Sequence, residues 1–114
     1  METRDFCIGF LIGMIEGEGC IAKISHTIKG KTYVYPQIVI ENTDKQLLEK
    51  CITCLASLDI TVHLYYNKHK ENHPNWKNSW RLVILGKKNM NKVVSFYSYK
   101  SQKFEKLIEL NKYS

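Results

Sequence analysis

The chain has 114 residues, 44% hydrophobic and 25% charged, enough for one modest core and too few for two domains with separate cores. Seventeen Lys and Arg against eleven Asp and Glu give a formal charge of +6 and a pI near 9.1, which favours a polyanionic partner, nucleic acid ahead of an acidic membrane surface. No apolar run approaches the roughly 20 residues that span a bilayer, no basic-then-apolar leader opens the sequence, and four cysteines in a chain this apolar read as reduced thiols, so an intracellular protein with no membrane partner is expected, a single domain over 1–114.

In chain order, Asp5–Glu16 places Phe6, Ile8, Phe10, Leu11, Met14 and Ile15 on several sides of a helix, which predicts burial on more than one face. Gly9, Gly13 and Gly17 recur every fourth residue, a stripe without side chains where another helix can approach closely, at a helix-propensity cost of about 1 kcal/mol per Gly. After a mixed segment Cys20–Thr27, Lys29-Gly30-Lys31 reads as a hairpin turn into Tyr33–Glu41, where Val34, Pro36, Ile38 and Ile40 alternate with Tyr33, Tyr35, Gln37 and Val39. Asn42-Thr43-Asp44 supplies capping chemistry for a second helix running to about Ser57. Ile60–Lys68 and Trp76–Leu85 read as a second hairpin around a polar loop at His69–Asn75, with Trp80, Leu82 and Ile84 inward. Helices are expected over Asn89–Tyr99 and Ser101–Tyr113. This order predicts an α+β domain on an antiparallel sheet.

The stretch that carries chemistry is Leu11-Ile12-Gly13-Met14-Ile15-Glu16-Gly17-Glu18-Gly19, an apolar helix ending in two carboxylates between glycines. Glu18 falls where the helix runs out, so its carboxylate is presented at a surface. Mg²⁺ takes few hard oxygen ligands and completes its octahedron with water and phosphate, so one carboxylate per chain suffices if two chains meet.

These residues resemble the LAGLIDADG motif of homing endonucleases, with a Lys-x-x-x-Phe element near the last helix at Lys100–Phe104. The resemblance covers roughly Phe6 to Leu110. It implies an αββαββα domain with a four-stranded antiparallel sheet and helices on one face, acting as a homodimer that breaks both strands of a long, near-palindromic double-stranded DNA site with Mg²⁺ or Mn²⁺. Carried over residue by residue, it implies Glu18 with Gly19 at the metal, Asn42 and Lys100 beside it as catalytic groups, Glu16 as a structural helix-end acid, and Phe10, Gly13, Met14 and Gly17 at the dimer interface. Gln46 falls where some members carry a basic residue. A non-cleaving binding module on the same fold, an intron maturase or a regulator, is the alternative.

A two-stranded ribbon fits the major groove, so the sheet's outer face is expected to read DNA. Alternation assigns Tyr33, Tyr35, Gln37 and Val39 on one hairpin and Lys77, Ser79, Arg81 and Val83 on the other to that face, with Arg81 and Gln37 as the base readers. Lys29, Lys31, Lys68 and Lys70 near the turns suit phosphates. His26 joins this set, although Ile21 and Ile24 break the period of two in its strand. One rival pattern, Cys51-x2-Cys54-x14-His69-x3-His73, has zinc-finger-like spacing. Its cysteines, however, lie in a helical apolar stripe and not on a turn.

Overall fold

Thr3 opens the first helix by accepting the Phe6 N–H on its hydroxyl at 3.1 Å, and α1 then runs Arg4–Glu18. The structure, a computed structural model, describes residues 3–67 and 79–112. β1 (Gly19–Ile28) and β2 (Lys31–Asn42) follow, then α2 (Lys45–Ser57), β3 (His63–Asn67), β4 (Ser79–Ile84), α3 (Lys87–Phe96) and α4 (Gln102–Asn111). The expected Lys68, Lys70 and Lys77 contacts, and His69 and His73 of the zinc-like spacing, lie outside the described residues.

The four strands form one antiparallel sheet in the order β1-β2-β4-β3. The β1–β2 hairpin closes through Lys29 (φ 51°) and Gly30 (φ 82°), two successive left-handed residues of the kind a tight two-residue hairpin turn requires. Ile21, Ile38, Ile40, Leu82 and Ile84 face the helices and are buried with Leu11 and Ile15 of α1, Leu48, Cys51, Cys54 and Leu55 of α2, Met90 and Val93 of α3 and Leu107 of α4. All four helices therefore cover one face of the sheet and leave the other open. Among the described residues no helix is long and apolar enough to cross a membrane.

Three local expectations change. The segment beginning at Ile60 does not enter the sheet until His63, because Ile60 ends α2 instead. Its N–H donates to Leu55 O at 2.9 Å and that of Asp59 to Ala56 O at 3.1 Å, the paired bonds of a Schellman C-cap with Asp59 left-handed at φ 59°. Lys92 holds that turn, donating to the Asp59 carbonyl at 2.6 Å and its carboxylate at 3.1 Å. Next, α3 starts at Lys87 and stops at Phe96, so Tyr97–Lys100 is a connector and not a helix end. Trp80 does face inward and packs against the core, but it is only half-buried, tilted against Tyr66 at 5.2 Å between ring centres with the Lys45 ammonium 5.8 Å from its ring.

Cys51 and Cys54 lie on the buried face of α2, and burial, followed by the neighbouring Cys54, pushes the Cys51 thiol from its ordinary 9.0 up to about 12. A raised folded-state value means that the unfolded chain loses this proton first. Stability is accordingly complete below pH 9 and falls as pH rises toward 12, by up to about 1.4 kcal/mol per pH unit. Urea titrations at pH 8 and pH 10 should show this slope in the native chain and a shallower one in Cys51→Ala; equal slopes would exclude the thiol as its source.

Candidate functional site

The C-terminal end of α1 is fixed from three directions. Gly19 takes extended backbone (φ −79°, ψ 157°) and its N–H donates to Ile15 O, so the chain turns from helix into β1 at a single residue. An added Cβ there would lie 2.7 Å from Ile15 O and 2.8 Å from Ile15 Cα. These are backbone atoms that cannot swing aside, and only glycine fits. Lys103 of α4 reaches the same place, donating to Ile15 O at 3.0 Å and Glu16 O at 2.9 Å. It thereby adds a second donor to Ile15 O, which already accepts the Gly19 N–H, reaches Glu16 O in the last turn, and sets a cation against the negative end of the helix dipole.

The two motif carboxylates separate. Glu16 is partly buried and its Oε2 accepts from the Tyr97 hydroxyl at 2.7 Å and the Ser101 hydroxyl at 2.9 Å. Burial, then the bond to Glu16, pushes the Tyr97 hydroxyl above its ordinary value of 10.0, so it remains a donor. Glu16 is thus a structural tie between α1 and the α3–α4 connector. Glu18 is exposed, and its Oε2 accepts from Asn42 Nδ2 at 2.5 Å. Asn42 is held in turn, because its Oδ1 accepts the Asp44 N–H at 2.7 Å while Asp44 caps α2 through Leu47 N–H. The last residue of β2 therefore couples the α1 carboxylate to the start of α2.

Lys100 is exposed just ahead of α4, in a shallow depression with Phe104 and Glu105; the lysine that touches the end of α1 is Lys103. Sequence reasoning missed Lys103, whose signal was its position on the helix that closes the core. Gln46 is exposed near the start of α2. Among the described residues no group of three or more His, Cys, Asp or Glu comes together to hold a metal. Glu18 nevertheless offers hard carboxylate oxygens at an open surface, with Gly19 buried behind it, which fits an Mg²⁺ that takes one or two carboxylates with water and phosphate, and does not fit an all-protein cage.

Beside the carboxylate, Gly9, Gly13 and Gly17 are exposed, and a Cβ on any of them meets nothing within 4 Å. Phe6, 43% exposed, stacks on half-buried Phe10 at 5.9 Å and extends this bare face, an addition to the expected set. Met14 departs from it, being 8% exposed and packed in the chain's own core.

On the open face of the sheet the register resolves the ambiguous strand. Ile21 pairs with Ile38 toward the helices, whereas Ile24 pairs with Tyr35 and His26 with Tyr33 on the outer side. His26 therefore stands with Tyr33, Tyr35, Gln37 and Val39, and Lys29 and Lys31 are exposed at the hairpin tip. Arg81 is exposed as expected, and Gln37, Tyr65, Tyr66, Arg81 and Val83 line a groove of about 440 Å³. Two residues assigned to this face by alternation are covered. Val83 is 4% exposed, flanked by Val39 and His63 on its two neighbouring strands. Ser79 is 4% exposed and donates to Glu41 Oε2 at 2.6 Å, so it is a support for its neighbours and not an open contact.

A family model described as a LAGLIDADG-like domain matches residues 5–96. The chain belongs to this family. Solved LAGLIDADG structures share the fold at low identity. I-GzeII, crystallised with its DNA target, matches at 20% identity and TM-score 0.58 over 96% of this chain and 36% of its own. The homing endonuclease I-TnaI matches at 20% and 0.59, over 96% and 71%. I-CvuI, crystallised with its target in the presence of calcium, matches at 14% and 0.59, over 96% and 68%. The chain thus spans about a third of one LAGLIDADG relative and roughly two thirds of the other two. No curated protein matches it.

Proposed function

We propose that two copies of this chain form a divalent-metal-dependent, sequence-specific DNA endonuclease that makes a double-strand break at a long, near-palindromic site. The observation that carries this reading is the adjacency, at one end of α1, of the exposed Glu18 carboxylate and the bare Gly9–Gly13–Gly17 stripe. Close packing of two such stripes brings two copies of Glu18 together, one for each DNA strand. Support also comes from I-GzeII, crystallised with its DNA target, and I-CvuI, crystallised with its target. When bound, Mg²⁺ or Mn²⁺ at Glu18 supplies Lewis acidity to the phosphodiester. Asn42 orients the Glu18 carboxylate, Gly19 lets the backbone turn away beneath it, and Lys100 supplies positive charge toward the phosphate. Lys29 and Lys31 at the hairpin tip hold the DNA backbone, giving affinity that falls with salt, while Tyr33, Tyr35, Gln37, Val39, His26 and Arg81 face the bases.

The second reading, a maturase or regulator that binds without cutting, is favoured by exposed Gln46 at a place where some relatives are basic. Selection of cleaved sites from a randomised DNA library with Mg²⁺ decides between them. Palindromic cleaved products are expected. Binding without a cleaved product at any site would overturn the enzyme and leave the binding module.

A further inference from the structure

Among the described strand residues on the open face of the sheet, Glu41 alone is acidic. A carboxylate on a surface that meets phosphates is unfavourable unless it is occupied. Glu41 is held from below: the hydroxyl of Ser79, itself 4% exposed, donates to its Oε2 at 2.6 Å. From the side, Arg81 Nη2 donates to Oε1 at 3.3 Å, across a direct β2–β4 pairing of Glu41 with Arg81. The other neighbour of Arg81 is Tyr65. The Arg81 side chain is still 46% exposed, and the groove it borders also contains Gln37.

An unheld arginine on such a face sweeps through many rotamers and meets phosphates as readily as bases. Here a buried hydroxyl fixes a carboxylate, and the carboxylate fixes one edge of a planar guanidinium. The remaining donors keep the fork that matches O6 and N7 of guanine.

We propose that Glu41 is a positioning residue for base recognition, one that turns Arg81 from a general phosphate contact into a reader of one guanine in each half-site. This rests on the reading that the sheet's outer face lies in the major groove. Gln37, in the same groove, has the amide that pairs with adenine, so a purine neighbour to that guanine is the expected context.

The test is selection of bound duplexes from a randomised library, scored by retention and not by cutting, with the native chain, Arg81→Ala, Glu41→Gln and Ser79→Ala. The native chain should select one guanine column per half-site, and Arg81→Ala should flatten that column about tenfold or more. Glu41→Gln keeps the shape and removes the charge. It should flatten the same column about tenfold and leave the others unchanged, with non-specific binding slightly tighter because a negative charge has gone. Ser79→Ala should give a smaller loss in that column. An unchanged guanine column in Glu41→Gln overturns the proposal, as does uniform weakening of every column together with a lower melting temperature, which is the signature of a merely structural tie. A native chain that retains no sequence at all removes the DNA-reading itself, an outcome distinct from either.

Discussion

Glu18→Gln is expected to abolish DNA cleavage while the protein folds and binds DNA as before. Glutamine is close to isosteric and its side-chain oxygen can still accept the Asn42 amide that now bonds to Glu18 Oε2. The exposed position buries no new polar group, so stability should stay within about 0.5 kcal/mol. In the proposed reading, what is lost is the anionic oxygen for the metal. Metal assistance contributes several kcal/mol of transition-state stabilisation, and each 1.4 kcal/mol is about tenfold, so the rate should fall by roughly a thousandfold or more. If each chain supplies one carboxylate, as proposed, mixed dimers of native and Glu18→Gln chains should nick one strand only. Gel analysis of supercoiled plasmid carrying the site separates nicked from linear product. Full double-strand cleavage by the Glu18→Gln protein would displace Glu18 from the chemistry.

Substitution of Gly13 should move two quantities in opposite directions. In the single chain this glycine lies in a helix interior, exposed, with open space where a Cβ would stand. Gly13→Ala should therefore raise the stability of the isolated domain by up to about 1 kcal/mol through helix propensity. Where two α1 helices pack backbone to backbone, the same position has no room. Gly13→Leu overfills that contact at a cost of roughly 1–3 kcal/mol, which is about tenfold to a hundredfold in dimer affinity. Sedimentation equilibrium measures the second effect and urea unfolding of dilute protein the first. Loss of stability together with unchanged self-association would mean that the stripe packs inside the chain and not between chains. Gly19 makes an instructive contrast, because its missing Cβ is explained within the chain by the Ile15 backbone, whereas those of Gly9, Gly13 and Gly17 are not.

Much of this was legible in the sequence, and the reason is periodicity. Pro36, Ile38 and Ile40 set the phase of β2 by strict alternation, and Asn42-Thr43-Asp44 announced the start of α2, where Asp44 does cap. The apolar helix ending in Glu-Gly-Glu-Gly marked both the motif and its turn, because helix and glycine chemistry are local. The family followed from that one stretch. Where apolar residues fell on both faces, as Ile21 and Ile24 do, local pattern had no single solution and only pairing with Ile38 and Tyr35 chose one. Ile60 misled because β-branched residues serve a helix cap as well as a strand. Which lysine meets the end of α1 also depended on where α4 docks, which put Lys103 there.

The sequence by itself determined the element types, the motif and the two carboxylates, all set by contacts within a few residues. The tertiary structure alone decided that Glu16 is tied inward while Glu18 stays open, that Ser79 is covered, and that Glu41 holds Arg81. Those outcomes belong to partners 38 to 85 residues apart, and no short-range period encodes which side chains the sheet register and helix docking bring together.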